Sequence, residues 1–210
     1  KENMSIIDIS SATGKKSLWS VDYGFKKVIA SEIRKNQVEQ LKLILDCSIN
    51  EKYRESITPV YDNISADSDT FCKKYIKFGK IDLVLSFGLL YHLSNPMQHL
   101  KNIYNLTSNY AIIYTHTHSN PFAPNLWELT TENHRWITKA TQSVSLKPHY
   151  FGLIEYLKKC GFKKVKIVYP SIFSKNFNNF DKFDRLTRAQ IIFFQNLSKF
   201  GINLNLMRNY

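Results

Sequence analysis

The sequence predicts an α/β fold in which an open, doubly wound sheet of about seven strands is covered by helices on both faces. Residues 4–33 (MSIIDISSATGKKSLWSVDYGFKKVIASEI) read as strand, tight turn, short helix, strand. Beyond them, apolar strand runs alternate with amphipathic helices. The run Ile81 to Phe87 (IDLVLSF) is apolar almost throughout, which suits a central parallel strand covered on both faces.

Each element has its own signal. The first strand carries Ile6, Ile7 and Ile9 and runs into a turn, Asp8 to Gly14, built from the small residues Ser10, Ser11, Ala12 and Gly14 with Thr13. Small residues let a backbone turn sharply and approach a ligand closely. Val28 and Ile29 open a second strand that finishes at Glu32, about 20 residues past the turn, where this architecture places a carboxylate against ribose hydroxyls. Val38, Leu41, Ile44 and Leu45 at helical spacing predict a helix over 36–48 with Asn36 as its N-cap. Ile57 to Tyr61 is a third strand, closed by Asp62 and Asn63, which can hold an adenine amino group or simply form a turn; a helix is expected near 65–76. The fourth strand ends at Gly88, and Asn95 and Pro96 cap and open the next helix. A fifth strand over 110–115 runs on into His116, Thr117 and His118. Pro148 and Gly161 bracket a helix over 147–160, and strands over 162–169 and 189–194 follow.

Composition narrows the class. A chain of 210 residues with 43% hydrophobic content and three tryptophans suits one well-buried domain, expected over 1–196 with a C-terminal extension over 197–210. No stretch approaches the ~20 apolar residues that span a bilayer, and the reading is of a soluble, cytoplasmic protein. Its first residue is Lys1 and the first strand begins almost at once, which leaves room for preceding sequence. Three cysteines without C-x-x-C spacing disfavour a disulfide framework and a structural zinc site. The absence of G-x-G-x-x-G disfavours nicotinamide and flavin chemistry. The net charge of +12 comes largely from dispersed lysine pairs such as Lys15-Lys16, Lys26-Lys27, Lys73-Lys74 and Lys163-Lys164, whereas phosphate and base recognition leans on arginine forks and clustered stripes. A nucleic-acid partner is therefore the weaker expectation.

In an open α/β sheet the ligand sits outside the carboxyl ends of the strands, so Asp8, Gly14, Glu32, Asp62, Gly88, Tyr91 and His92 should meet at one mouth. The successive stretches MSIIDISSATGKKS, VIASEI, YDN and KIDLVLSFGLLYHLSNP resemble, in order and spacing, the motifs of class I S-adenosylmethionine-dependent methyltransferases. The YHL element is similar to branches that modify sugars, natural products and the tRNA wobble uridine. The resemblance implies a Rossmann-like sheet whose last strand is antiparallel, with S-adenosyl-L-methionine as cofactor and S-adenosyl-L-homocysteine as product. It further implies that Asp8 with Ser10, Ser11, Ala12, Thr13 and Gly14 approaches the methionine part, Glu32 the ribose, Asp62 and Asn63 the adenine, while Phe87, Gly88 and Tyr91 close over the cofactor. The family usually has glycine where this chain has Ser10 and Ala12. Should either position need φ > 0, the added Cβ costs on the order of 1 kcal/mol.

Residues 119–146 are too long for a plain loop and rich in aromatics, which predicts an acceptor lid, with 170–187 as a second lid loop. Trp127, Glu132, Trp136 and Tyr150 are the expected acceptor contacts, the alternative being a satellite hydrophobic cluster. His92 is the first candidate for a general base, with His116, His118 and His134 behind it. His116 and His118 lie two apart, yet they lack a fitting third ligand, so no metal is expected. The function expected is O-methylation of a sugar or similar small polar metabolite. An RNA (tRNA) methyltransferase and a non-catalytic scaffold are the alternatives.

Overall fold

The structure, a computed structural model, describes residues 3–118, 126–131, 144–168 and 188–194. The expected second lid loop 170–187, the tail 197–210, and Glu132, His134 and Trp136 lie outside the described residues. Seven strands form one sheet: β1 (Ser5–Ile9), β2 (Lys27–Glu32), β3 (Ile57–Tyr61), β4 (Ile81–Phe87), β5 (Thr107–His116), β8 (Lys164–Val168) and β9 (Arg188–Phe194). Their spatial order is β3-β2-β1-β4-β5-β9-β8. The pairs within β1 to β5 are parallel, whereas β9 runs antiparallel to both β5 and β8. This is the mostly parallel, Rossmann-like sheet that the sequence predicts. The order reverses between β1 and β4, and it is outside the carboxyl ends of strands at such a switch point that open α/β sheets bind ligands.

Alternating side chains along β1 and β2 feed two cores. Ile6, Val28 and Ala30 pack toward α1 (Lys15–Asp22), α2 (Lys35–Cys47) and α3 (Glu51–Ser56). Ile7, Ile9 and Ile29 pack toward the 3₁₀ segment Phe71–Phe78, α4 (Pro96–Leu106) and α5 (Tyr150–Cys160). Burying one such isoleucine contributes roughly 1.5–3 kcal/mol, while an exposed pair such as Lys42–Glu39 at 3.0 Å contributes under about 1 kcal/mol. The apolar alternation therefore sets the register, and a slip by one residue would turn both cores outward.

Several local expectations are corrected. Asn36 lies inside the first turn of α2 rather than capping it, because Arg34, the N-cap residue, is held two residues earlier by hydrogen bonds to Glu32. The helix expected near 65–76 is the 3₁₀ segment Phe71–Phe78, preceded by turns in which Asp67 accepts hydrogen bonds from Ser94 and from the Asn95 backbone. Pro148 does not open α5; it pairs with Trp127 in a two-stranded hairpin of β6 (Trp127–Thr131) and β7 (Val144–Pro148), and His149 caps the helix instead. By contrast, Asn95 caps α4 as expected, its side chain accepting from the Gln98 amide at 3.1 Å, with Pro96 opening the helix.

The turn after β1 is tightly packed. Gly14 has φ 83°, and a Cβ placed there would lie 2.4 Å from Leu41 Cδ1. Ser10 (φ 62°) and Ala12 (φ 52°) also occupy the left-handed region, so the strain foreseen for non-glycine residues is present. Gly14→Ala should lower stability by about 1–2 kcal/mol or more, from the left-handed conformation and the collision with Leu41. Ser10→Gly and Ala12→Gly should leave stability unchanged or raise it by up to about 1 kcal/mol, as relief of strain offsets the entropy of glycine. Urea unfolding midpoints of the three variants check both signs.

Candidate active site

Parallel pairing brings the carboxyl ends of β1, β2, β3, β4 and β5 to one edge: Ile9 stands beside Ser31 and Ser86, Glu32 beside Tyr61, and Phe87 beside Tyr114. Asp8 points from β1 toward α1, where the Ser17 hydroxyl donates to its Oδ2 at 3.0 Å. Its other oxygen, Oδ1, is buried with no hydrogen-bond partner among the described residues. A buried carboxylate oxygen left unpaired costs at least 1–3 kcal/mol. Burial pushes the Asp8 carboxyl up to about 6, against the pull of the Lys16 charge and the Ser17 hydrogen bond. Lys16 itself, on the first turn of α1, sets its Nζ over the Phe87 ring, 5.3 Å from the centroid.

The turn from Ser10 to Gly14 is tied to the end of β2. The Ser11 N–H donates to the Ser31 carbonyl at 2.9 Å, and the Ala12 N–H to Glu32 Oε2 at 2.8 Å. Ser11 Oγ is a second buried atom without a partner among the described residues. Glu32 is 1% exposed, and Arg34 grips it in a fork: Nε to Oε1 at 2.8 Å and Nη2 to Oε2 at 3.0 Å, with the Arg34 N–H on Oε1 at 3.0 Å. Burial would raise the Glu32 carboxyl, but the Arg34 hydrogen bonds and charge hold it below the usual range. Between them, Ile33 is 48% exposed at the same edge.

The two residues closing β3 part company. Asp62 is buried, and its carboxylate accepts from Tyr75 Oη at 2.8 and 2.9 Å and from the Ser31 hydroxyl, with Lys74 Nζ at 2.9 Å. Those partners engage it inside the fold, and Asn63 is the exposed side chain of the pair. After β4, Gly88 turns with φ 68° and donates its N–H to the Tyr114 carbonyl at 2.8 Å. A Cβ on Gly88 would stand 3.7 Å from Tyr91 Oη, so the tyrosine hydroxyl lies close over this turn. The Tyr91 ring is 4.1 Å from that of His92 and meets His116 edge-on at 4.5 Å.

Of the expected acceptor-side residues, His92 and His116 are thus brought together around Tyr91. His118 turns to the hairpin side, with Nε2 2.8 Å from the Leu126 carbonyl and its ring 5.1 Å from that of His149. Trp127, half-buried, packs against the main core. Tyr150 stacks on His149 at 4.4 Å. Among the described residues no three histidine, cysteine, aspartate or glutamate side chains gather as a metal site. Lys16, Ile33 and Arg34, not singled out from the sequence, also stand at this edge, and the exposure of Ile33 shows only in the fold.

The carboxyl edge of the sheet thus holds a buried Asp8 oxygen without a partner among the described residues, a tight turn from Ser10 to Gly14 and a buried acid, Glu32, at the end of the neighbouring strand. No family model and no curated protein matches the chain. Solved structures do. The N-terminal domain of EvdMO1 with SAH bound aligns over 91% of this chain and 74% of its own, at 13% identity and TM-score 0.67; it has also been solved in the presence of SAH and D-fucose. An S-adenosylmethionine-dependent methyltransferase from Mesorhizobium loti aligns over 92% of this chain and 91% of its own, at 13% identity and TM-score 0.62. The methyltransferase domain of bacterial-CtHen1-CN covers 90% and 89%, at 14% identity and TM-score 0.58. The chain has the fold of class I S-adenosylmethionine-dependent methyltransferases.

Asp8 gives the site a pH signature. Its carboxyl ionises near 6 in the fold and near 3.9 when unfolded. Between those values the folded state binds more protons, so stability falls as pH rises, by about 3 kcal/mol on reaching pH 7. Asp8→Asn should flatten that decline and be more stable than the parent at pH 7, as measured by urea unfolding from pH 4 to 8. Tyr75→Phe should lower stability by about 1–3 kcal/mol by withdrawing a donor from buried Asp62, read from the same unfolding curves.

Proposed function

We propose that this chain is an S-adenosylmethionine-dependent methyltransferase that methylates an oxygen of a sugar or another small polar acceptor. The observation that carries the reading is Asp8: a buried carboxylate with an unpaired oxygen, at the point where strand order reverses, suits an ammonium group brought by the ligand. Lys16 beside it suits the carboxylate of the same amino acid. Glu32 would take the ribose hydroxyls, Ile33 and Asn63 the adenine ring and its edge, and Gly88 with Tyr91 the face between the strands. Asp62 acts through Ser31 and Tyr75, positioning the strand ends rather than touching adenine. Bound S-adenosylmethionine would supply an electrophilic methyl on a sulfonium.

The chain's own part is to hold the acceptor in line and to receive its proton. Holding reactants in line can supply much of the acceleration. A hydroxyl is a poor nucleophile until its proton has a place to go, and His92 is the proposed acceptor of that proton, with its ring against Tyr91, which in turn meets His116 edge-on. The hairpin and its flanking residues 119–146, with 170–187, are proposed as the cover over the acceptor. The D-fucose named with EvdMO1 supports a sugar. The RNA alternative required lysines gathered at the mouth. Lys15 opens α1 at that edge, whereas Lys26 and Lys163 precede β2 and β8 at the opposite edge and Lys73 lies on the 3₁₀ segment, so these four do not gather there, which weighs against that reading. The scaffold reading is favoured by the strained turn at Ser10 and Ala12.

Calorimetry with S-adenosylhomocysteine separates the readings: measurable binding is expected, and no heat at millimolar ligand would favour the scaffold. Glu32→Ala should weaken that binding about tenfold or more. His92→Ala should lower turnover far more than cofactor affinity in an assay following the isotopically labelled methyl. A His92→Ala enzyme with parental turnover would remove the base from the mechanism.

A further inference from the structure

We propose that Arg34 is a latch on the ribose seat, which a nucleoside must open before it can bind; the proposal rests on the cofactor-binding reading above. An ionised carboxylate offers about four lone-pair positions. On Glu32 four donors occupy them: the Ala12 N–H and Arg34 Nη2 on Oε2, the Arg34 N–H and Arg34 Nε on Oε1. Two of these donors are backbone groups fixed by the turn after β1 and by the start of α2. The other two belong to one side chain that is 33% exposed, on a carboxylate whose own side chain is 1% exposed. A vicinal diol brings two O–H donors, so only the guanidinium can make way for it.

The fork is bidentate and charge-assisted, the strongest geometry open to an arginine and a carboxylate. A neutral diol must therefore compete with a stronger donor for the same oxygens. The latch lowers nucleoside affinity without touching the methionine end at Asp8. It also selects against ligands that lack ribose hydroxyls, because only a ligand with donors of its own can replace those that leave. In the closed state the buried Glu32 charge stays paired, which keeps the end of β2 folded while no ligand is present.

The test is calorimetric titration of S-adenosylhomocysteine, adenosine and 2′,3′-dideoxyadenosine into the parent chain, Arg34→Ala and Arg34→Lys, with thermal unfolding of each. Arg34→Ala is expected to bind the first two ligands about tenfold more tightly or better, and dideoxyadenosine no more tightly than the parent. Arg34→Lys, which keeps the charge and loses the fork, is expected to fall between and stands in if the alanine variant does not fold. Equal or weaker binding of S-adenosylhomocysteine by the folded variants overturns the latch alone, and so does an equal gain for dideoxyadenosine. If neither the parent nor a folded variant binds S-adenosylhomocysteine or adenosine, the cofactor reading fails and the latch with it.

Discussion

Two backbone hydrogen bonds hold the candidate site together: the Ser11 N–H on the Ser31 carbonyl and the Ala12 N–H on the Glu32 carboxylate. They fasten the turn after β1 to the end of β2. That attachment fixes where the turn's remaining backbone faces, and it explains how Ser10 and Ala12 persist in a conformation that suits glycine. Strain of this size survives only where surrounding contacts over-determine it. Here the contacts are parallel strand pairing on both sides of β1, the seat of Gly14 on Leu41, and the buried Glu32 with its four donors.

The two carboxylates at this edge are in opposite electrostatic situations. Asp8 is desolvated with one hydroxyl donor and a lysine charge nearby, so burial dominates and its carboxyl rises. Glu32 is nearly as inaccessible, yet a guanidinium and two backbone amides outweigh burial, and its carboxyl falls. Their mutual repulsion adds to the rise at Asp8. Among the described residues no charged group hydrogen-bonds to Asp8, whereas Glu32 holds the Arg34 guanidinium. A ligand carrying an ammonium at one end and a neutral diol at the other would complete the first and exchange with the second.

Much of the frame was legible in the sequence because it is written in short-range patterns. Continuous apolar runs give β1, β2 and β4, and Asn95-Pro96 gives the start of α4 through capping chemistry that acts over three residues. The small residues from Ser10 to Gly14 mark the turn. What escaped depends on partners distant in the chain. The helix α3 has the polar sequence EKYRES, without an apolar stripe, and is held by contacts such as Tyr53 Oη on Asp22 at 2.7 Å. The β6 and β7 hairpin pairs Trp127 with Pro148, a register that no local signal announces. The sequence left Asp62 as either an adenine contact or a turn former; its hydrogen bonds from Tyr75 and Ser31 and its pairing with Lys74 show only in three dimensions.

On the proposed function, the strand tips between Asp8 and Glu32 receive a sulfonium nucleoside, which amide chemical-shift mapping with ¹⁵N-labelled protein and S-adenosylhomocysteine would report residue by residue. Saturable shifts are expected at residues 8–14, 32–34, 63 and 87–92, with the amino ends of the same strands undisturbed. Saturable shifts centred anywhere else, or none at millimolar ligand, would contradict it.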